Sequence, residues 1–380
     1  MADTSLDPMS GHGTDKTIRV LGFEGWDSGS HRAVRESIVR HGALDWQWIT
    51  LPPANWRWRL RLGAVDLVEA GHAEGALVEA WNAIFVTSLV SLSDLVALLP
   101  ASLAAVPRIL YMHENQAAYP AAAGRDDQRD AHAIATNLTS MLAADRIIWN
   151  SQWNHDSFIT GAASMLRTAK GAVAGDMLRR VTERSQVIWP PVETPINDDD
   201  GVLHKASEAH DKGWRLVVWP HRWEHDKGPE ALLTIERAQG ERDRIGWILL
   251  GQQFDQQPAA LAALRESAGE RVLHAGHAVR SQYEAWLRAA DWVCSTARHE
   301  FFGIAVVEAL LAGCLPWLPE RLSYPELLPR DCIGLSPATF RGDRAAMQAA
   351  IRQHLQPATA TEAVMSLESA VTATSPLFCR

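Results

Sequence analysis

The sequence predicts an α/β protein built from two parallel-sheet domains that face each other across a cleft. Three observations predict it. Short apolar runs alternate with amphipathic stretches through the first half of the chain, a polar and acidic stretch at 195–213 interrupts them, and the same alternation then restarts. A length of 380 residues suits two such domains.

The elements follow in order. Ile18–Phe23 reads as the first strand, Glu24–Ser30 as a turn, and Arg32–His41 as a helix. Trp46–Leu51, Ala83–Thr87, Arg108–Met112, Arg146–Trp149 and Gln186–Trp189 read as the next strands. Helices are expected from Asp94, over Asp126–Ala144, and after Ser151, whose hydroxyl suits an N-cap. In the second half, Arg215–Trp219, Gly246–Leu250, Val272–His274, Trp292–Ser295 and Leu315–Leu318 read as strands. Pro229–Ala238, Gln257–Ser267, Ser281–Arg288 and Gly303–Ala312 read as their helices. The chain divides into a tail (1–16), an N-terminal domain (17–194), a linker (195–213), a C-terminal domain (214–345) and a helical segment (346–380) returning toward the first domain.

Composition excludes several classes. A net charge of -9 argues against broad, sequence-blind nucleic-acid binding while allowing a local basic patch. The polar start lacks the basic and apolar regions of a signal peptide, and Ala83–Leu99 is too short and polar for a membrane span. Cys294, Cys314, Cys332 and Cys379 form no C-x-x-C pair, which fits a reducing cytoplasm. The 16 tryptophans, some in W-x-W clusters, suit core packing or stacking on a base or sugar.

Four clusters follow strands, where ligands bind in open α/β sheets. In Glu300-Phe-Phe-Gly-Ile-Ala-Val-Val-Glu308, Gly303 allows close backbone approach, and the amides of a helix start suit phosphate or sugar oxygens. Glu308 stands in an apolar run, so it needs a partner, a sugar or ribose hydroxyl; the alternative is a helix-face glutamate paired with an arginine. Arg222 and Lys227 lie five residues apart in one loop, where they either neutralise a diphosphate or form a solvated surface. Nearby histidines and an aspartate fit no familiar metal spacing, so no metal is expected. Gly25–His31 is a glycine turn opening a helix, able to cradle an anion through Gly29 and Ser30. His113, Glu114, Asn115 and Gln116 sit at a strand end. Asn55–Arg61 interleaves Trp56 and Trp58 with Arg57, Arg59 and Arg61. An extended conformation would put the arginines on one side for phosphate contact, and an ordinary amphipathic edge is the alternative.

Arg222, Lys227-Gly228 and Glu300-x7-Glu308 resemble the donor signature of family-four retaining glycosyltransferases, whose architecture is GT-B, two Rossmann-like domains around a cleft. The match spans both domains. LPPANWRWRLR (51–61), YMHENQAAYP (111–120), VWPHRWEHDKGPE (218–230) and STARHEFFGIAVVEAL (295–310) resemble more specifically the tRNA-queuosine alpha-mannosyltransferases, the glycosyltransferase-domain-containing family of animals. Two departures stand out: the animal proteins carry a long interdomain insertion, and Ser28 stands where relatives often have glycine. The resemblance implies a retaining transfer of mannose from GDP-mannose to the cyclopentenediol of queuosine at the wobble position of tRNA(Asp). It implies an acceptor-side N-terminal domain and a donor-nucleotide C-terminal domain. Arg222 and Lys227 would hold the diphosphate, and Glu300 the sugar hydroxyls near Phe302, Gly303 and Ile304. Glu308 would hold the ribose, with Gly29 and Ser30 at the phosphates. His113, with Glu114 and Asn115, would face sugar and acceptor. The nucleotide sugar is a co-substrate; no cofactor or metal is implied. The partner is an anticodon stem-loop, contacted through Trp56, Arg57, Trp58, Arg59 and Arg61, and no membrane. Rival readings are a glycan, lipid or metabolite acceptor, a different donor, or a non-catalytic binding module.

Overall fold

A computed structural model of the chain describes residues 17–119, 130–168, 174–253 and 257–374. The expected tail, the opening of the helix expected over Asp126–Ala144 and the last residues of the 346–380 segment lie outside them.

The first domain runs β1 (Arg19–Glu24), α1 (Gly29–His41), β2 (Asp45–Thr50), α2 (Trp56–Ala73), β3 (Ala83–Thr87), α3 (Leu92–Leu98), α4 (Ala101–Ala104) and β4 (Arg108–Met112). It continues with α5 (Ala131–Ala143), β5 (Arg146–Trp149), α6 (Gln152–Thr168), α7 (Ala174–Glu183) and β6 (Ser185–Val187). Its six strands are parallel, in the order β2-β1-β3-β4-β5-β6. The second domain runs α8 (Asp200–Asp211), β7 (Arg215–Pro220), α9 (Pro229–Ile235), β8 (Ile245–Leu250), α10 (Ala259–Ala268) and β9 (Val272–Gly276). Then come α11 (Arg280–Ala289), β10 (Trp292–Cys294), α12 (Ile304–Ala312), β11 (Leu315–Trp317), α13 (Arg344–His354) and α14 (Ala360–Thr374). Its five parallel strands are ordered β11-β10-β7-β8-β9. Helices on both faces bury the central strands, so these read as unbroken apolar runs; every residue of β3 and of β8 is buried.

The helix α14 returns to the first domain. Val364, Leu367 and Val371 join Val34 and Ile38 of α1 in covering one face of the first sheet. Glu368 fixes this helix by accepting the amides of Ala43 and Leu44 and the indole N–H of Trp46 at 2.9, 3.0 and 2.8 Å.

Two expectations are corrected. Residues 55–61 are not extended. Asn55 caps α2 by accepting the Arg57 amide at 3.1 Å, and Leu60, Ala64, Leu67 and Val68 bury a stripe with helical spacing. The helical period over 18 residues outweighs the short W-x-W-x alternation. The 195–213 stretch is not all linker. Asp199 caps α8 by accepting the Val202 amide at 3.0 Å, and Val202, Ala206 and Ala209 pack in the second core. The acidic run is therefore a helix start, where carboxylates are favoured.

Candidate active site

The carboxyl ends of both sheets open on the cleft, and a cavity of about 120 Å³ lies between them. Ser30, His31, His113, Glu114 and Tyr119 line it from the first domain; Arg222, Asp226, Lys227, His299, Glu300 and the Phe301–Ile304 segment line it from the second.

On the second-domain wall, Gly228 bends the loop after β7 and starts α9. Its φ is +67°, and a Cβ there would lie 2.3 Å from the Thr296 carbonyl oxygen. That close contact turns Lys227 inward. The buried ammonium donates to the His299 carbonyl at 2.9 Å and lies 3.1 Å from Asp226 and 3.4 Å from Glu300. Burial works against its charge, but Glu300 and Asp226 outweigh burial and hold its pKa above the usual value. Burial also opposes the Glu300 charge, and Lys227, His221 and His299 outweigh it, leaving that carboxyl below its usual range. Arg222 reaches out from the same loop, half exposed and 3.1 Å from Glu224. Gly303, with φ +96°, begins α12, which has no acidic residue in its first turn. The start of this helix, Gly303 and Ile304, lines the cavity beside Glu300.

The first-domain wall rests on Glu24, the polar end of an apolar strand. Its carboxylate receives the His31 Nδ1 at 3.0 and 3.2 Å and the Trp26 amide at 2.7 Å. His31 and His113 stack with centroids 3.9 Å apart. Burial opposes a charge on His31, but the Glu24 carboxylate outweighs it and raises its pKa. Burial, reinforced by His31, drives His113 well below the ordinary histidine value. The two stacked imidazoles are thus shifted in opposite directions, His31 toward its protonated and His113 toward its neutral form. Among the described residues, Glu24, His31 and His113 form the one cluster with ligand atoms all within 4.8 Å of one another, as one metal ion requires. Among themselves, His31 Nδ1 bonds the Glu24 carboxylate and His113 Nε2 lies 4.0 Å from it. Helix α1 starts beside them: Gly29 has φ +51° with open space at its Cβ position, and Ser28 makes no side-chain cap.

The structure brings together most of the expected site residues. Lys227, Arg222, Glu300, Phe302, Gly303, Ile304, Ser30, His113 and Glu114 share one cavity, with Gly29 at its α1 margin. Asn115 does not face it. That side chain is fully buried, donating to Asn154 Oδ1 at 2.8 Å and Ser157 at 3.0 Å and accepting the Ala118 amide at 2.8 Å, so it shapes the loop. Glu308 lies outside the cavity. Arg280 and Tyr283 donate to its two oxygens at 2.8 and 2.7 Å, the arginine pairing anticipated as the alternative. Arg280 and Tyr283 themselves line a neighbouring cleft of about 360 Å³ with Arg222, Gly251 and His277. Trp56 sits near the cavity, its ring 6.1 Å from Tyr119, with the Arg57 guanidinium over it. The helix puts Arg57 and Arg61 on one exposed face and turns Arg59 away to Asp66 and the Pro52 carbonyl. Trp58 is 64% exposed.

Glu24, His31, Tyr119 and His299 were not among the expected site residues. A carboxylate closing an otherwise apolar strand was the available signal for Glu24. Nothing local marks Tyr119 or His299, which meet across the cleft with ring centroids 4.5 Å apart.

Residues 19–192 match the family model "tRNA-queuosine alpha-mannosyltransferase N-terminal", and residues 203–318 match "Glycosyl transferases group 1". The chain is 32% identical over 322 residues to the tRNA-queuosine alpha-mannosyltransferase of Drosophila melanogaster, covering 82% of each protein. It is 27% identical over 139 residues to a GDP-mannose:cellobiosyl-diphosphopolyprenol alpha-mannosyltransferase of Xanthomonas oryzae pv. oryzae, covering 36% of this chain and 37% of that one. Among solved structures, Anabaena HepE in complex with UDP and glucose superposes with a TM-score of 0.62 at 15% identity, over 94% of this chain and all of that one. Trehalose-6-phosphate synthase OtsA superposes at 0.63 and 10% identity, over 94% and 99%. These likenesses show the GT-B fold. No described helix is long and apolar enough to cross a membrane. With the sequence match spanning both domains and the cavity lying where they meet, the chain belongs to the tRNA-queuosine alpha-mannosyltransferase family of glycosyltransferases.

Proposed function

We propose that this chain transfers mannose from GDP-mannose to the cyclopentenediol of queuosine at the wobble position of tRNA(Asp), with retention at the anomeric carbon. The observation that carries this reading is one cavity with a cationic wall, Arg222 and Lys227, facing a wall of His113 and Glu114. The cationic wall suits the diphosphate, and Glu300 suits the sugar hydroxyls with the α12 amides beside it. The guanosine end would extend into the cleft lined by Arg280 and Tyr283. Glu308 would meet a ribose through lone pairs not taken by Arg280 and Tyr283.

The bond bookkeeping is a front-face displacement. The acceptor oxygen bonds to the anomeric carbon as the bond to the diphosphate oxygen breaks. The leaving oxygen takes the electron pair and then the acceptor's proton. Lys227 and Arg222 offset the charge that develops there, so this reading calls for no metal and no cofactor. The wobble base is single-stranded and can turn out to stack on an aromatic ring; Tyr119 and Trp56 offer such rings at the cavity edge. Arg57 and Arg61 suit contact with the phosphates of one stem-loop. The setting is cytoplasmic, in keeping with buried free thiols at Cys294, Cys314 and Cys332.

The test is mass spectrometry of nuclease-digested tRNA after incubation with GDP-mannose. Mannosyl-queuosine is expected with the wild type. With Lys227→Ala, kcat should fall by roughly a hundred- to a thousandfold while the fold persists. Undiminished turnover in that variant would contradict the phosphate assignment.

A further inference from the structure

The second-domain wall carries Arg222 and Lys227 beside Asp226 and Glu300, the first-domain wall His31 and Glu114, and one group on the first-domain wall is incompletely partnered. Glu24 is fully engaged by His31 and the Trp26 amide. Glu114 is different. Its Oε1 accepts from Gln116 Nε2 at 2.9 Å, and among the described residues no donor lies within hydrogen-bonding distance of its other oxygen. The charged groups facing Glu114 are His31 and Arg222, which favour its ionised form, and Glu24, which opposes it. Burial outweighs them and raises its pKa. Tyr119 lines the same cavity within the electrostatic reach of Glu114, and its ring runs on to Trp56. A carboxylate beside aromatic faces recognises a cation attached to a flat ring.

We propose that Glu114 and Tyr119 form the subsite for an alkylammonium group carried by the acceptor nucleobase. This rests on the function proposed above and deepens it. In queuosine the cyclopentenediol hangs from a 7-deazaguanine through an aminomethyl bridge, a secondary amine that is protonated near neutral pH. Glu114 takes the ammonium, the flat base lies against Tyr119 and Trp56, and the diol beyond the nitrogen reaches toward the donor cations. The cleft thus sorts its two substrates by charge, with the anionic diphosphate on Lys227 and Arg222 and the cationic linker on Glu114. A nucleobase without the amine leaves one carboxylate oxygen without a protein donor, which supplies discrimination as well as affinity.

The experiment measures direct binding of the full-length protein to one tRNA in three forms, with no turnover required. The wobble base is 7-aminomethyl-7-deazaguanine, 7-cyano-7-deazaguanine or guanine. The aminomethyl form presents the ammonium without the diol, and the cyano form removes the charge at the same position. Wild type should bind the aminomethyl tRNA about ten- to a hundredfold more tightly than the other two. Glu114→Gln, similar in shape but uncharged, should reduce that preference to within about twofold, and Glu114→Asp should restore part of it. Equal binding of the three tRNAs by the wild type overturns the subsite, as does a preference that survives Glu114→Gln. Queuosine-tRNA and GDP-mannose, assayed in parallel for transfer, report on the proposed function separately. A protein that transfers mannose but ignores the amine loses only this inference.

Discussion

Lys227 concentrates the chemistry of the cleft at the residue scale. Its ammonium is only 9% exposed and is held by Asp226, Glu300 and the His299 carbonyl before any substrate arrives. A cation fixed in advance needs little reorganisation when charge develops on a leaving diphosphate. Across the cavity the Glu24–His31 pair has its own pH signature. The folded-state pKa of His31 lies above 6.5, so the pair contributes its full stability below that value and loses it as pH rises through the folded-state pKa. His31→Gln removes this contribution. The stability gap between wild type and variant should be widest below pH 6.5 and narrow as the pH is raised above it in urea titrations. A gap that stays constant would contradict a protonated His31. At this scale Arg222, Lys227 and Glu300 were legible in the sequence because each follows a strand within a compact motif. Tyr119 and His299 were not, because they lie 180 residues apart and only the closed cleft brings them into contact. Asn115 misled for a related reason: a polar residue at a strand end serves equally well as a ligand and as the internal bond of a turn.

The elements show where local pattern sufficed. Ala83–Thr87 and Arg108–Met112 have the same bounds in the structure as in the sequence, because short apolar runs with polar flanks leave little choice. The segment 55–61 was ambiguous over seven residues, and only the buried stripe continuing to Val68 decides for a helix. The acidic start of α8 resembled a linker because its buried positions, Val202, Ala206 and Ala209, are few and mostly small. At the β7–α9 junction the backbone itself is constrained. Gly228→Ala would combine an unfavourable left-handed conformation with contact against the Thr296 carbonyl. A cost of about 2 kcal/mol or more is expected, which lowers Tm by roughly 4 °C or more. An unchanged Tm in thermal unfolding would contradict the geometry assigned to this loop.

The whole molecule is held closed by polar contacts across the cleft. Ser151, at the start of α6, donates to the Phe301 carbonyl at 2.5 Å. Glu326, in the second domain, accepts the Gln152 and Trp153 amides at 2.8 and 3.1 Å. Those amides are the otherwise unpaired first-turn donors of α6, so a carboxylate from one domain caps a helix of the other. Glu326→Gln keeps one acceptor oxygen and turns an amide donor toward the second N–H. It should loosen closure by about 1–3 kcal/mol, raise the radius of gyration in small-angle scattering and raise the donor KM several-fold more than it lowers kcat. Identical scattering and KM would show that closure does not depend on this cap. The function of the whole molecule turns on the acceptor. The most direct measurement follows label from GDP-[14C]mannose into two preparations of tRNA(Asp), one carrying queuosine at the wobble position and one carrying guanosine. The account predicts incorporation into the first and none above background into the second. Equal labelling of both, or labelling of neither, would contradict it.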